Sequence, residues 1–274
     1  RTADGNSRFF EDHPLIVESL TLTYSLEDLS IYLGKFNPVV GFNYHNFPGL
    51  YSYSMVEEYK IAERIGLGIK YSANFEDFGM HQINVSSFFA DTTFLSDSLL
   101  DQRGHTSKED GGLANTEDFD SYSVSIGGKD FYSLNNNIVE RLSYRFGYAL
   151  QKKGSNNEND ESRYSVSLSY KENFTSKISK SLMIEFMEIN HYSGEAGHDR
   201  SYFTSSFGLK QYPWTFNTTY QFIDNEADEA EEGADGKILQ ISIGYNFSDK
   251  TQLNFGFKRA DEELEVTERF GLGL

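Results

Sequence analysis

The amino-acid sequence predicts an all-β protein, a transmembrane antiparallel up-and-down β-barrel, from the period, length and spacing of its strands. Apolar and polar residues alternate with a period of two in one segment after another, which places the two sets on opposite faces of a strand. Most predicted strands have about ten residues or slightly more, the length that a tilted strand needs to cross a bilayer. The connections tend to alternate between short and long, as they do between the two ends of a membrane barrel.

The alternation is clearest in residues 141–151. One face of this segment carries the apolar set and the other the polar or small set: Leu142, Tyr144, Phe146, Tyr148 and Leu150 against Arg141, Ser143, Arg145, Gly147, Ala149 and Gln151. The same division along the whole chain predicts thirteen strands, at residues 15–26, 29–37, 63–74, 80–91, 121–130, 140–153, 162–174, 181–193, 201–212, 214–224, 237–247, 251–260 and 264–274. Most of the long connections, near 38–62, 92–120, 154–161, 194–200 and 225–236, are predicted to lie at one end.

The composition excludes several classes of protein. The chain has 274 residues, a net charge of -18, no cysteine and 15% aromatic residues, with 18 Tyr and 23 Phe but a single Trp. The mean hydropathy is -0.54, and the sequence holds no apolar run long enough for a helical membrane span. The aromatic content argues against a disordered chain, and the acidic charge argues against a nucleic-acid binder. Without cysteine there are no disulfides, thiolate zinc sites or cysteine nucleophiles.

A soluble β-sandwich is the competing interpretation of the alternating pattern. A sandwich would be richer in Val and Ile on its apolar face, and long charged residues would outnumber Ser and Gly on its solvent face. Here the polar face is small and mostly neutral, as in a water-filled interior. The surplus aromatic residues lie near the strand ends, where a membrane interface would be: Tyr24, Tyr71, Phe75, Phe131, Phe174, Tyr212, Trp214 and Phe247.

Two segments carry a resemblance to a known family. Residues 32–38, Tyr-Leu-Gly-Lys-Phe-Asn-Pro, leave a strand just after a short turn and are similar to a stretch of many porins. The last strand, residues 266–274, resembles the barrel-assembly signal, with Phe270, Leu272 and Leu274 on one face, although it ends in Leu rather than Phe. The chain thus resembles a Gram-negative outer-membrane β-barrel of the porin type, which implies integral insertion in a bacterial outer membrane.

The number of strands leads to a further expectation. Bacterial single-chain barrels have an even number of strands, whereas this chain is predicted to have thirteen. We therefore expect about fourteen strands in the full protein, with one more strand before Arg1 or within residues 1–14. Residues 1–274 are expected to form a single barrel domain.

The charge is distributed unevenly between connections and strands. Residues 93–120, 155–162, 224–235 and 261–263 together account for the whole net charge of -18. The polar strand faces are instead basic, so we predict a pore lining whose charge preference is set by Lys70, Arg145, Arg163, Lys171, Lys210, Lys258 and Arg269 together with Glu185. This arrangement predicts an acidic entrance above an anion-tolerant wall.

The longest predicted connection, 92–120, is the candidate for a constriction. Long barrel loops are often functional, and this one contains Gly104, Gly111 and Gly112 as flexible points. One hypothesis folds it inward and places acidic side chains opposite Arg145, Arg163 or Arg269; the candidates are Asp97, Asp101, Glu109 and Asp110. The alternative is a surface loop that covers the mouth.

Catalytic, metal and cofactor sites are not expected. His191-Tyr192-Ser193 resembles the His-x-Ser element of outer-membrane phospholipases and puts His191 and Ser193 on one face of a predicted strand. Gly194 and Ser205 stand where that family has polar partners, so a histidine at the rim is favoured. The acidic run 224–235 lacks EF-hand spacing and is interpreted as a solvated loop, with weak divalent bridging to lipopolysaccharide as the alternative.

The resemblance implies passive diffusion of small hydrophilic solutes or ions, without cofactor or catalysis. The implied partners are outer-membrane lipid, lipopolysaccharide and the solutes themselves, with a homo-trimer or other outer-membrane proteins as further candidates. The competing function is a non-transport barrel, either the scaffold of a surface complex or a phospholipase-like enzyme using His191 and Ser193.

Overall fold

A computed structural model describes residues 15–76, 78–98, 105–131, 141–227, 234–248, 250–262 and 265–274. It contains thirteen β-strands: β1 Leu20–Leu26, β2 Leu29–Phe36, β3 Arg64–Phe75, β4 Gly79–Ala90, β5 Ser121–Lys129, β6 Leu142–Gln151, β7 Glu161–Thr175, β8 Ile178–Asn190, β9 His198–Gln211, β10 Trp214–Ala227, β11 Gly236–Ser248, β12 Thr251–Glu262 and β13 Glu265–Gly273. Most of these bounds lie within three residues of the predicted ones, because the period-two pattern ends where the turns begin.

All thirteen strands form one antiparallel sheet in chain order. Each strand pairs with its neighbours in the sequence, so the predicted up-and-down topology is confirmed. Within the described residues, β1 pairs only with β2 and β13 only with β12, and the sheet is not closed. The fourteenth strand stays a prediction, and residues 1–14, where it was sought, lie outside the described residues.

The two ends of the sheet differ in the length of their connections. At one end, here called the short-turn end, β1–β2, β3–β4, β7–β8, β9–β10 and β11–β12 are joined by two or three residues each. At the other, the long-connection end, β2 is joined to β3 by residues 37–63 and β4 to β5 by residues 91–120. The predicted tendency to alternate holds at these positions, with two exceptions: residues 130–141 between β5 and β6 form a long connection at the short-turn end, and only residues 263–264 separate β12 from β13 at the other end.

The two faces of the sheet have the opposite polarity to that of a soluble protein, with the polar face inside and the apolar face outside. On β5, Ser121, Ser123 and Ser125 are buried, whereas Tyr122 and Val124 are 38% and 40% exposed. The same arrangement recurs on most other strands, though not on the edge strands β1 and β13, so the inner face is polar and largely covered and the outer face is apolar and exposed. A soluble sandwich would bury its apolar face, so the structure excludes it. An exposed apolar surface of this extent indicates contact with an apolar environment.

Aromatic side chains are concentrated on the outer face at the short-turn end. Trp214 contacts Tyr245, and Tyr245 contacts Phe247, with ring centroids 4.9 and 5.0 Å apart. Further exposed aromatics at the same end are Tyr24, Tyr71, Phe75, Phe78, Phe174 and Tyr212. Aromatic rings on the outer face near one end of the strands match the aromatic belt of a membrane barrel.

Helical structure is confined to the connections. One short α-helix, α1 (Ser52–Glu57), and 3-10 turns at Tyr44–Asn46, Phe94–Ser96, Lys108–Asp110 and Tyr192–Gly194 occur in the described residues. None of the helices in this part of the chain is both long and apolar enough to cross a bilayer.

Candidate functional site

The interior of the sheet is occupied by residues 37–63, here called the inward segment. This connection leaves β2, passes across the inner face and returns to β3. Its apolar side chains are almost fully buried: Val40, Phe47, Met55, Val56, Tyr59 and Ile61. They pack against apolar residues of the inner wall, Met183, Met187, Ile189, Tyr202, Ile223 and Ile238. The inward segment therefore has a hydrophobic core shared with one side of the barrel wall.

Local bonds shape the inward segment. The side-chain oxygen of Asn43 accepts a hydrogen bond from the backbone N–H of His45 and starts the 3-10 turn at Tyr44. The Ser52 hydroxyl donates to the carbonyl of Pro48 at 2.6 Å, at the start of α1. At the base of the segment, Asn37 accepts a bond from the N–H of Glu63 at 2.8 Å, which joins the two ends of the connection.

On one side the inward segment is bonded to β7 and β8 and lies against β6. The carbonyl of Val40 accepts a hydrogen bond from the Ser165 hydroxyl at 2.6 Å. The same carbonyl oxygen lies against Gly147, where a Cβ would stand only 1.7 Å away. Two residues further along the segment, the N–H of Phe42 donates to the Glu185 carboxylate at 2.6 Å. The absence of a side chain at Gly147 is what permits this close approach.

On the other side the segment is bonded to β9 and β10. The Ser52 and Thr219 hydroxyls are 2.7 Å apart, and the Tyr59 hydroxyl donates to Thr204 at 3.2 Å. The Gln221 amide donates to the carbonyl of Met55 at 3.1 Å. The inward segment is thus bonded to the wall from β7 to β10 through polar side chains that the alternating pattern assigned to the inner face.

Two buried ion pairs hold the segment to the wall. Lys60 pairs with Glu185, which also accepts a bond from the Ser167 hydroxyl at 2.6 Å. Arg163 pairs with Glu161 at 2.6 Å and donates to the carbonyl of Tyr59 at 2.9 Å. Burial lowers the pKa of the Lys60 ammonium, and the Glu185 carboxylate opposes that shift. Burial, followed by the nearby Glu185 charge, raises the pKa of the Tyr59 hydroxyl well above its ordinary value.

A third buried cation was missed by the sequence analysis. Lys35 is 1% exposed and forms ion pairs with Glu63 at 3.0 Å and Asp91 at 2.8 Å. Its ammonium also donates to the carbonyl of Leu95 at 3.0 Å. Lys35 therefore ties the end of β2 both to the base of the inward segment and to the β4–β5 connection.

The residues predicted to line the pore have different surroundings. Arg163 and Glu185 are buried and ion-paired, so they anchor the inward segment. Arg145 is half-buried and donates to the Gln82 amide oxygen at 3.4 Å, and Lys171 is exposed one strand away. Their role in selecting ions stays a prediction.

The other predicted pore cations lie along the remaining inner wall. Lys70 on β3 and Lys258 on β12 are half-buried, and Lys210 on β9 is exposed. Arg269 is exposed on the edge strand β13, where it lies directly opposite Lys258 in the strand register. These residues share the inner face but form no single cluster.

The constriction by residues 92–120 stays a prediction, and the described candidate carboxylates have local surroundings. In the described residues, Asp97 and Asp110 have local partners, His105 at 3.6 Å and Ser107 at 2.7 Å, and Glu109 is exposed. Hydrogen bonds from Ser107 lower the pKa of the exposed Asp110 carboxyl. None of these three carboxylates forms a described ion pair with the cations named for it. Asp101 lies outside the described residues.

The β4–β5 connection instead packs against another long connection at the rim. The N–H of Ala114 donates to the carbonyl of Lys152 at 2.7 Å, and that of Gly112 to Asn156 at 2.6 Å. The connection therefore covers part of the mouth, whereas the inward segment takes the interior. The physical reason is apolar content, because residues 37–63 carry large apolar side chains that require burial and residues 93–120 are acidic.

His191 and Ser193 lie beyond the end of β8 and not within a strand, where the predicted bounds 181–193 place them. Strand β8 ends at Asn190, and both residues have left-handed backbones, with φ of 53° and 59°. The His191 ring contacts the carbonyl of Asp160 at 3.2 Å, and the backbone N–H of Ser193 donates to Glu161 at 3.1 Å. Among the hydrogen bonds of the described residues, none joins the His191 ring to the Ser193 hydroxyl. The two side chains therefore do not share a strand face.

Two cavities lie below the inward segment, toward the short-turn end. The larger, of about 510 Å³, is bounded by inner-face residues of β4 to β8 and by Phe42 and Asn46 of the segment. The smaller, of about 390 Å³, lies between Pro48, Gly49 and Leu50 and the inner face of β10 and β12. Within the described part of the chain, no three metal-ligating side chains come together. Residues 228–233, half of the acidic run 224–235, lie outside that part.

Comparison with solved structures finds the same fold in outer-membrane proteins. Pseudomonas aeruginosa OccK8 (OprE) aligns with a TM-score of 0.53 at 8% identity over 92% of this chain and 69% of its own. A loop-deletion form of OmpT, an outer membrane protein of Vibrio cholerae, gives 0.52 at 13% identity over 92% of this chain and 76% of its own.

The Acinetobacter baumannii outer membrane channel DcaP gives 0.50 at 10% identity over 88% of this chain and 68% of its own. This chain has the fold of the porin-type outer-membrane β-barrels. It spans roughly two thirds to three quarters of the length of the three structures. No known protein family matches the sequence, and no curated protein does.

Proposed function

We propose that the protein is an integral outer-membrane channel for passive diffusion of small hydrophilic solutes. The observation that carries the proposal is the inverted polarity of the sheet, whose outer face is apolar and exposed while its inner face is polar. Water and hydrophilic solutes are solvated by such an inner face, and lipid chains by such an outer face. One of the proteins with this fold, DcaP, is described as a channel.

In this proposal the inward segment is the constriction. It is bonded to the wall from β7 to β10, and cavities remain between it and the wall. A segment held in this way reduces the cross-section at mid-height and leaves solvent space below it. Size exclusion then depends on residues 37–63 and not on residues 92–120.

The proposed channel prefers anions. The inner-wall acids Glu161 and Glu185 are each ion-paired with a buried cation. Cations such as Arg145, Lys171 and Lys210 have no carboxylate within 4.0 Å among the described residues. The inner face therefore has a surplus of positive charge, and charged rings of this kind set the ion preference of pores. The acidic long connections lower the anion concentration at the mouth and act against this preference.

Planar-bilayer recording tests the proposal directly. We expect stepwise conductance after insertion and, in a salt gradient, a reversal potential of the sign that anion preference requires. Replacing residues 43–57 by a short Gly-Ser linker should raise single-channel conductance several-fold, whereas deleting residues 97–115 should change it little. The absence of conductance from both the natural chain and the linker variant would rule out a channel.

A barrel whose interior is blocked and whose role is that of a scaffold is the second candidate. The observation in its favour is the shared hydrophobic core of the inward segment and the wall, which fills the interior on the β8–β11 side. The linker variant separates the two functions, because a scaffold barrel has no conductance before the segment is removed and gains it afterwards. A channel conducts in both forms.

An enzymatic role for His191 and Ser193 is the weakest candidate. We propose that the protein is not a phospholipase, since the described hydrogen bonds leave the Ser193 hydroxyl without a general base. Ser193→Ala should leave phospholipid hydrolysis by the refolded protein at the background rate of the natural chain. Hydrolysis that disappears in this variant would establish the enzyme instead. Trimer formation and binding of lipopolysaccharide stay predictions that crosslinking in native membranes would test.

A further inference from the structure

Basic side chains are concentrated at the short-turn end of β6, β7 and β8. Arg141 directly precedes β6, Lys177 lies in the β7–β8 turn and Lys180 lies near the start of β8. Arg141 and Lys180 flank one carboxylate, that of Glu172 on β7, which is 8% exposed. These four residues are here called the basic cluster. Its three cations outnumber its one carboxylate, so the cluster has a surplus of positive charge.

The core of the basic cluster faces outward. Glu172 and Lys180 are directly paired across β7 and β8, and the same row continues through Leu209 and Phe216, both exposed on the outer face. The alternation places Arg141 in the polar set of its segment, yet its guanidinium pairs with Glu172. Arg141 lies before the first residue of β6, so the alternation of that strand does not fix its direction.

One carboxylate holds two of the cations. Glu172 pairs with the Arg141 guanidinium and, at 2.7 Å, with the Lys180 ammonium. It also accepts a hydrogen bond from the Tyr170 hydroxyl at 2.9 Å. The side chains of Arg141 and Lys180 nevertheless stay 35% and 40% exposed. The Lys180 ammonium has three N–H donors, and this carboxylate takes one of them, so an anion can bind to the exposed side of the ammonium.

The basic cluster lies within the aromatic belt of the short-turn end. The Lys180 ammonium is 5.6 Å from the ring centroid of Tyr170 and 5.0 Å from that of Phe174. The Lys177 ammonium is 6.0 Å from the ring centroid of Tyr212. Aromatic belts of membrane barrels lie at the height of the lipid head groups. The ammonium groups are therefore at the height of a lipid phosphate.

The other described turns of this end are not similarly basic. The β1–β2 turn carries Glu27 and Asp28, and the β3–β4 turn carries Glu76. Residues 212–213 between β9 and β10 are uncharged, and in the β11–β12 turn the described residues include one charge, that of Lys250. Among the described turns, an anion is thus attracted most strongly to the β6–β8 side of the barrel.

We infer that the basic cluster is a binding site for an anionic glycerophospholipid. The phosphate accepts charge-assisted hydrogen bonds from Lys180 and Arg141, and the acyl chains lie along the exposed apolar face beside Leu209. Short turns of outer-membrane barrels lie on the periplasmic side, so the lipid belongs to the periplasmic leaflet. A zwitterionic lipid binds less tightly, because the surplus positive charge repels its own cationic group. The site does not depend on conduction, so a channel and a scaffold barrel would both have it.

The single tryptophan of the sequence, Trp214, provides the measurement. It is 55% exposed at the start of β10, two strands from β8 or about 10 Å across the sheet. The full chain is refolded into phosphatidylcholine vesicles that contain a lipid with brominated acyl chains, which quench tryptophan on contact. Brominated phosphatidylglycerol should quench Trp214 more than brominated phosphatidylcholine at the same mole fraction. We expect an apparent preference of about fivefold for phosphatidylglycerol, the effect of one well-placed cation at a membrane surface.

Lys180→Gln should remove most of this preference and bring the two quenching curves together. Lys250→Gln is the matched control, because Lys250 is exposed in the β11–β12 turn at the same end, on the other side of Trp214. It should change the preference less than twofold, and Lys180→Arg, which keeps the charge, should retain the preference. Equal losses in Lys180→Gln and Lys250→Gln would overturn the site in favour of a general positive field.

Glu172→Gln distinguishes a lipid site from a cluster that only holds the strands together. The substitution removes the carboxylate that competes with the phosphate for both cations, so the preference for phosphatidylglycerol should rise. A purely structural cluster would lose order in this variant, and the preference would not rise. A fall in Glu172→Gln, or equal quenching by the two brominated lipids in the natural chain, would overturn the inference. Conductance does not enter the measurement, so a failure of the proposed channel would leave the lipid site standing.

Discussion

Lys60 of the inward segment forms an ion pair with Glu185, whose side chain is fully buried on strand β8. Because Glu185 also accepts bonds from Ser167 and from the N–H of Phe42, one carboxylate joins two points of the segment to the wall. This carboxylate links the inward segment to the barrel wall at two points, so we expect the position of the segment to depend on it.

Glu185→Gln should release the inward segment. Removing one partner of a buried ion pair costs about 3–5 kcal/mol, because the other charge remains buried without compensation. We expect a lower denaturation midpoint in urea and a higher, noisier single-channel conductance. The double variant Lys60→Met with Glu185→Gln removes the stranded charge and should recover a large part of the stability. Identical midpoints for the single and double variants would show that the two residues are not coupled.

Gly147→Ala should displace the same segment from β6. The new Cβ would lie 1.7 Å from the carbonyl oxygen of Val40, so the backbone of the segment must move. Overpacking of this kind costs about 1–3 kcal/mol, and the conductance should change with it. Gly236→Ala is the matched control, since its Cβ would meet only side-chain atoms, at 3.2 Å or more. A conductance unchanged in Gly147→Ala would mean that the segment does not limit the pore.

Val124→Arg tests the assignment of the outer face to lipid. Val124 is 40% exposed at the middle of β5, between the exposed Tyr122 and Ile126. An arginine at the bilayer midplane costs about 2–4 kcal/mol in a membrane barrel. Urea titration in lipid vesicles should show this loss, while Val124→Leu should remain close to the natural chain. If Val124→Arg leaves the urea midpoint unchanged, β5 lies outside the hydrocarbon region.

Asp160 and Lys152 predict a pH dependence at the mouth. Partial burial acts to raise the pKa of Asp160, but bonds from the Lys152 ammonium at 2.6 Å and the N–H of Lys153 outweigh it, so the pKa lies below the ordinary value. The hydrogen bond to Asp160 in turn raises the pKa of Lys152. Both side chains are more than 30% exposed, so the pair contributes only about 0.2–1 kcal/mol.

Asp160 and Lys152 contribute to the free energy of unfolding in different pH ranges. The folded-state pKa of Asp160 is depressed, so its contribution is present above the unfolded value of about 3.9 and is lost as the pH falls through the folded value. The folded-state pKa of Lys152 is raised, so its contribution is present below about 10.4 and is lost as the pH rises through the folded value. A carboxyl-carbon NMR titration in micelles should place the Asp160 midpoint below 3.9, and Lys152→Met should move it upward. A midpoint unaffected by that substitution would contradict the pairing.

The strands and their facing could be predicted because both are local properties. The alternation in residues 141–151 assigns Phe146 to one face and Arg145 to the other whatever the strand contacts. The large aromatic residues of one face and the serines and glycines of the other identified that polar face as the inner one. In the structure Phe146 is exposed and Arg145 faces the interior.

The choice of the inward segment could not be made from length and flexibility. The 92–120 connection is the longer one and contains several glycines, whereas residues 37–63 are buried in the interior. The feature that identifies the inward segment in the sequence is its apolar content, from Val40 to Ile61. A loop exposed to water would not carry so many large apolar side chains. A loop takes the interior when burial of its side chains offsets its loss of conformational entropy.

The sequence by itself determined the secondary structure, the order of the strands and the polarity of the two faces, since each depends on near neighbours in the chain. Only the tertiary structure decided which cations are free. Arg163 and Arg145 have the same alternation and charge, yet Arg163 is paired with Glu161 and Arg145 faces a cavity. Arg163 is within reach of Glu161 and of the Tyr59 carbonyl of the inward segment. Arg145 shares a strand row with Glu185, but Lys60 and the N–H of Phe42 already engage that carboxylate.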